Sequence, residues 1–322
     1  MISLRITCAE ERAARTLDLL RRYPTVTNVA VLRGAAIKPR GDLILCNVAR
    51  EGASEVIAEL QDLGVDKDGA IVIERDETGI SDAAATAEKA APGLPADAVV
   101  WAEVEAQTSE SAVLSASFMV FMIVAVLIAA FGIYLNSSIL IVGAMIVGPD
   151  YGPIAGVCVA SIDRRWAEAG RSLVALITGF AGAIIVASCG AMVLRQTGLI
   201  AWNFGTLDGP LELAIVRPTA LTAMVAVLAG VAGMLSLTTS KSGALIGVLV
   251  SVTTIPAAAS IAVAAAYGAW EPLSGSALQL VVNVTAMILA GLSTLGVQRW
   301  IYERHRIAHR RALDRRRKAG SG

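Results

Sequence analysis

The chain has 322 residues, of which 55% are hydrophobic and only 17% charged. That excess excludes an ordinary soluble globule, because nearly all of it lies after Ser111, where charge-free stretches of membrane-spanning length recur. The net charge of zero hides an acidic head, with 12 Lys+Arg against 19 Asp+Glu up to Ser111, and a basic remainder with 15 against 8.

The head reads as alternating strands and helices. Ile2–Cys8 alternates like a strand, and Glu10–Arg22 places Ala13, Leu17 and Leu20 at helical spacing. Val26–Leu32 is a second strand, Gly34 and Pro39-Arg40-Gly41 a turn, Asp42–Val48 a third strand, Ser54–Leu63 a second helix and Ala70–Glu74 a fourth strand. This βαββαβ order predicts an α+β ferredoxin-like domain over residues 1–75, with a regulatory or assembly role. The first twenty residues lack the apolar core of a cleavable signal, so the head is expected in the cytoplasm. Residues 76–111 read as a linker, with Val99–Gln107 a short strand or an interfacial helix.

Six spans are predicted over 112–298, at about 113–135, 139–162, 172–194, 218–240, 243–266 and 276–298. With both termini cytoplasmic, thirteen Lys+Arg fall in inner segments and two, Arg195 and Arg217, outside. That distribution obeys the positive-inside rule and points to the inner (cytoplasmic) membrane. The tail, 299–322, is strongly basic and is expected against anionic headgroups rather than nucleic acid, since it adjoins a bilayer and contains no nucleic-acid module. His305 and His309 have no acid or Cys to complete a metal site. Cys8, Cys46, Cys158 and Cys189 show no metal or disulfide spacing and are expected to act as small buried hydrophobes.

Spans one to three can be laid over four to six. Gly143 falls on Gly247, Ser172 near Ser276, and Pro153 on Pro256 with one residue of slip. Three spans per unit force the two units to enter the membrane from opposite sides, which predicts a 3+3 inverted repeat. Both second spans are broken at matching depth, by Gly148-Pro149-Asp150-Tyr151-Gly152-Pro153 and by Ser251-Val252-Thr253-Thr254-Ile255-Pro256. Paired breaks of this kind point to a midplane site.

Asp150 is the only acid well inside a span, and a charge there costs at least about 2.5–3.5 kcal/mol, so it must face protein or water. Two readings follow: a ligand for an ion, proton or solute, or a cap on the half-helix that opens at Pro153. The candidate binding residues are Asp150, Gly148, Gly152, Ser251, Thr253, Thr254 and Asn283, with Thr285 a further polar group in the last span. Gly152–Gly156 and Gly243–Gly247 have the GxxxG spacing of close helix approach.

The runs LNSSILIVGAMIVGPDYGPIAGV, TTSKSGALIGVLVSVTTIPAAASIAVA and TNVAVLRGAAIKPRGDLILCNVAR together resemble the prokaryotic hydrophobic membrane proteins grouped as domain of unknown function 389. The resemblance implies a multispan membrane protein and carries no activity or substrate with it. From the residues, the chain is expected to be a transporter or channel for a small solute or ion, with proton or ion coupling as a natural hypothesis, and to assemble as a homo-oligomer. The alternative is a membrane-anchored sensor or scaffold whose head binds a ligand or partner. No cofactor, metal or enzymatic role is expected, since no GxSxG or HExxH occurs and no His lies in a span.

Overall fold

The computed structural model describes residues 1–75, 81–91, 99–198, 219–239 and 254–319. The chain divides into two compact units, Met1–Val104 with Thr238–Lys241 and Glu105–Leu237 with Ser242–Gly322.

The first unit is built on β1 (Ile2–Cys8), α1 (Glu10–Arg22), β2 (Val26–Ile37), β3 (Arg40–Val48), α2 (Arg50–Asp62), the short α3 (Val65–Asp68) and β4 (Ala70–Arg75). The sheet is antiparallel with order β2-β3-β1-β4, so β3 lies between the two strands that α1 connects. Alternation selects the core: Ile2, Leu4 and Ile6 of β1 and Ile44, Cys46 and Val48 of β3 are buried against Ala13 and Leu20 of α1 and Val56, Ile57 and Leu60 of α2. One turn expected from Gly34 is a strand instead. β2 runs on to Ile37 because the Gly34 N–H donates to Asp42 Oδ1 at 2.8 Å, while the ladder shifts register between Leu32 and Ala36.

Residues 76–111 hold two helices, α4 (Asp82–Ala90), capped by the Ser81 hydroxyl, and α5 (Trp101–Ser111). The expected strand or interfacial helix at 99–107 is therefore helical. Ser54 fixes the approach to α5, donating to the Val99 carbonyl at 2.7 Å and accepting from the Trp101 N–H at 3.2 Å.

The second unit contains α6 (Ala116–Tyr134), α7 (Ser138–Val147), α8 (Tyr151–Ile162), α9 (Trp166–Gln196), α10 (Ala220–Thr238), α11 (Ile255–Tyr267) and α12 (Trp270–Ala319). Helices α6, α9, α10 and α12 are long and apolar enough to cross a bilayer, and α7 with α8 is apolar enough as a pair, bent by 46° as a broken span or a re-entrant loop is. The first half of the expected fifth span, 243–253, lies outside the described residues, and its second half is α11. Side chains such as Phe121, Ile185, Met224 and Leu289 are more than half exposed. Their apolar outer surface fits lipid rather than water, so the chain is a multi-pass membrane protein. The last span and the basic tail are one helix, α12.

Small residues fill the interior: Ala125 and Ala129 of α6, Ala183 and Ala187 of α9, Ala258 and Ala262 of α11. They let backbones approach where no hydrophobic effect drives helices together. Helix α8 packs on α9 and α12, and α11 packs on α12 and α9. Several helix starts lie 104 residues apart: α6 and α10, each of 19 residues, start at Ala116 and Ala220. Helices α8 and α11 start at Tyr151 and Ile255, and α9 and α12 at Trp166 and Trp270. The turns before those last two helices each hold a left-handed residue, Arg164 (φ 59) and Gly268 (φ 70).

Candidate functional site at the helix breaks

The first break follows from its sequence. Gly148 ends α7, with its N–H on the Ala144 carbonyl at 3.1 Å, and Pro149 forbids a further helical turn. Asp150 then starts α8, its carbonyl accepting from Ile154 N at 3.3 Å. Pro153 sits inside that first turn, where a helix has no carbonyl partner for its amides, so its missing N–H costs nothing. Thr254 starts α11 in the same way, its carbonyl accepting from Ala258 N at 2.9 Å, with Pro256 as the second helical residue.

The two starts meet. Thr254 Oγ1 donates to Asp150 Oδ2 at 2.5 Å, the short length of a hydroxyl-to-carboxylate bond, and both residues have no exposed surface. Neither side chain caps its own helix, so the reading of Asp150 as a side-chain cap for α8 is overturned. Its carboxylate accepts instead from the start of α11. Two helix starts, each carrying roughly half a positive charge, converge on one acid.

Three of the other expected residues are described. Gly148 brings the α7 end against Ile255, where a Cβ would lie 2.9 Å from Ile255 Cγ1 and Cδ1 and 3.4 Å from Asp150 Oδ1. Gly152 is half-buried in the first turn of α8, and Asn283 of α12 is fully buried. Thr285, two residues further along α12, is exposed, because that step turns a helical side chain to the opposite face. Ser251, Thr253, Gly243 and Gly247 lie outside the described residues.

Sequence reasoning missed Tyr151, whose Oη donates to the Gly233 carbonyl at 2.7 Å and ties the start of α8 to α10. It missed, too, how far the spacing of 104 carries. A Cβ on Gly156 would lie 2.7 Å from Ser172 Oγ, while at the equivalent positions Ser276 Oγ donates to Ser260 Oγ at 2.8 Å. The match of Ser172 to Ser276 was the signal; continuing it residue by residue reaches Gly156 with Ser260 and Asp150 with Thr254.

A cavity of about 780 Å³ lies beside the start of α9, lined by Ala112, Gly156, Ala160, Arg165, Glu168 and Arg171 among others. It does not reach Asp150 or Thr254, so the central pair is closed to solvent in this conformation. Among the described residues, no three His, Cys, Asp or Glu side chains cluster to hold a metal ion.

The family described as Domain of unknown function (DUF389) matches residues 145–289. The matched stretch begins just ahead of the first break and ends within α12, so it takes in Asp150, Thr254 and Asn283. No curated protein and no solved structure matches the chain.

Proposed function

We propose that the protein is an integral membrane transporter or channel for a small solute or ion, built as a 3+3 inverted repeat of six spans, with its site at Asp150 and Thr254. One observation carries this reading: a fully buried carboxylate and hydroxyl, each at the start of a helix, bonded to one another between α8 and α11. A membrane anchor has no use for an acid buried at that cost. The recurrence of helix starts and turns at a spacing of 104 residues supports the repeat, as does the exchange in which α8 packs on α12 and α11 on α9. The closed centre fits an occluded state between two open ones.

The head is the cytoplasmic regulatory or assembly domain, both termini are cytoplasmic, and the membrane is the inner one, a reading that the excess of basic residues in these segments supports. The tail of α12 lies near anionic lipid headgroups, and the compact bundle assembles as a homo-oligomer. No catalytic role is proposed.

The test is flux in proteoliposomes under imposed gradients of protons, sodium, potassium and chloride, each with the wild type, Asp150→Asn and Thr254→Val. Loss or a changed coupling ratio in Asp150→Asn supports the site. Full flux in that variant, for an ion the wild type moves, removes the carboxylate from the mechanism.

A further inference from the structure

Helices α9 and α12 each carry an arginine at the same distance from their equivalent Trp starts, Arg195 and Arg299. Arg195 Nη1 donates to the Ala266 carbonyl at 2.9 Å, and its guanidinium lies 5.3 Å from the Tyr267 ring, which packs on Tyr134 with centroids 6.3 Å apart. The end of α9 is thereby tied to the end of α11. Arg299 Nη2 lies 3.5 Å from Asp163 Oδ1, which ties α12 to the end of α8.

These are one contact made twice. Asp163 and Tyr267 are separated by the same 104 residues as Asp150 and Thr254, so each half of the molecule reaches with an arginine for the same place on the other. The chemistry differs. The Asp163 contact sits in an ionic cluster, in which Arg165 also meets Asp163 at 3.7 Å, Glu105 at 2.8 Å and Glu168 at 2.6 Å. The Tyr267 contact is a carbonyl and two rings.

The two contacts lie at opposite ends of α9, whose 31 residues span about 46 Å. The central pair lies between them. From Asp150 to Asp163 along α8, and from Thr254 to Tyr267 along α11, each path is about 20 Å. Each of these helices begins at the central pair and ends at an arginine.

We propose that Arg299–Asp163 and Arg195–Tyr267 are latches, one for each membrane face, and that release of either opens the Asp150–Thr254 centre to that face alone. This rests on the transport reading and adds the elements that would move. Either latch holds its helix end to the opposite repeat, which keeps one face shut while the other opens. A contact of this half-buried kind is worth about 1 kcal/mol, so its loss raises the open population about fivefold.

The experiment uses the full chain in sealed vesicles of both orientations, with Cys158 and Cys189 replaced by alanine and Ile255→Cys as a reporter beside the centre. The probe is a membrane-impermeant charged maleimide. Arg299→Gln is expected to raise reporter labelling about fivefold from one face, Arg195→Gln about fivefold from the other, and Arg299→Lys and Arg195→Lys to keep both slow. Labelling that rises from the same face in both variants, from both faces alike, or in neither variant overturns the proposal. Its failure is separable from that of the transport reading. Unchanged labelling with intact ion flux removes the latches alone; face-specific labelling with no flux in the wild type keeps the latches and removes transport.

Discussion

Gly148 and Ile255 touch so closely that a methyl group on Gly148 would lie 2.9 Å from two carbons of the Ile255 side chain. The residue that ends α7 is therefore packed against the residue that starts α11, and the bond between Asp150 and Thr254 lies beside that contact. Adding bulk at Gly148 must displace the Ile255 side chain or push α7 and α11 apart.

Gly148→Ala is accordingly expected to lower stability by about 1–3 kcal/mol, the usual cost of overpacking. Ile255→Val, which removes one of the crowded carbons, should recover part of it. Thermal unfolding of both single variants and the double in detergent tests this; additive losses would show that the two positions do not share the strain.

Thr254→Val keeps the shape of the side chain and removes the hydroxyl that Asp150 accepts from. A buried carboxylate that loses a partner costs about 1–3 kcal/mol or more, so this variant should unfold well below the wild type, and Thr254→Ser should sit near it. Asp150→Asn in the Thr254→Val background should restore stability, because a neutral amide is cheaper to bury than a charge. Equal melting of Thr254→Val and Thr254→Ser would mean that the bond contributes nothing.

In the head, burial pushes the Cys46 thiol up to about 12, and burial also raises Cys8, with Asp42 adding to it and the Thr16 hydrogen bond opposing it. A raised folded value favours the neutral thiol in the folded state. The stabilisation from Cys46 is therefore whole below its unfolded value of 9.0 and is lost as pH climbs towards 12. Both thiols should resist iodoacetamide at pH 8 in the folded protein and react fast in denaturant. The loss of protection should begin above pH 9; rapid alkylation of Cys46 at pH 8 would contradict its burial.

The head was legible because its signals are local. Ile2–Cys8 and Glu10–Arg22 fall where alternation and helical spacing put them, whereas the run of β2 past Gly34 depends on a side chain eight residues away, Asp42. In the membrane part the break between α7 and α8 was legible through proline and glycine, and Asp150 through its rarity. That Asp150 touches Thr254 was not legible, since contact depends on how α8 and α11 pack. Tyr151 on Gly233 and Arg195 on Ala266 were hidden for a further reason: each acceptor is a backbone carbonyl, which leaves no mark on the residue type.

The equivalence of Gly156 and Ser260 allows a test in which one half of the molecule is given the other's residue. Helices α8 and α9 approach so closely that a Cβ on Gly156 would lie 2.7 Å from both Ser172 Oγ and Ala112 Cβ, whereas Ser260 and Ser276 meet through a 2.8 Å hydrogen bond. Gly156→Ser should therefore destabilise by about 1–3 kcal/mol although serine is the natural choice 104 residues later. Ser260→Ala should cost only about 1 kcal/mol, the worth of one buried hydroxyl bond, and Ser276→Ala about the same, with the double variant no worse than either single. Thermal melting of the four variants decides it. A tolerated Gly156→Ser would mean that α8 and α9 are spaced like α11 and α12, and that the glycine is not there for closeness.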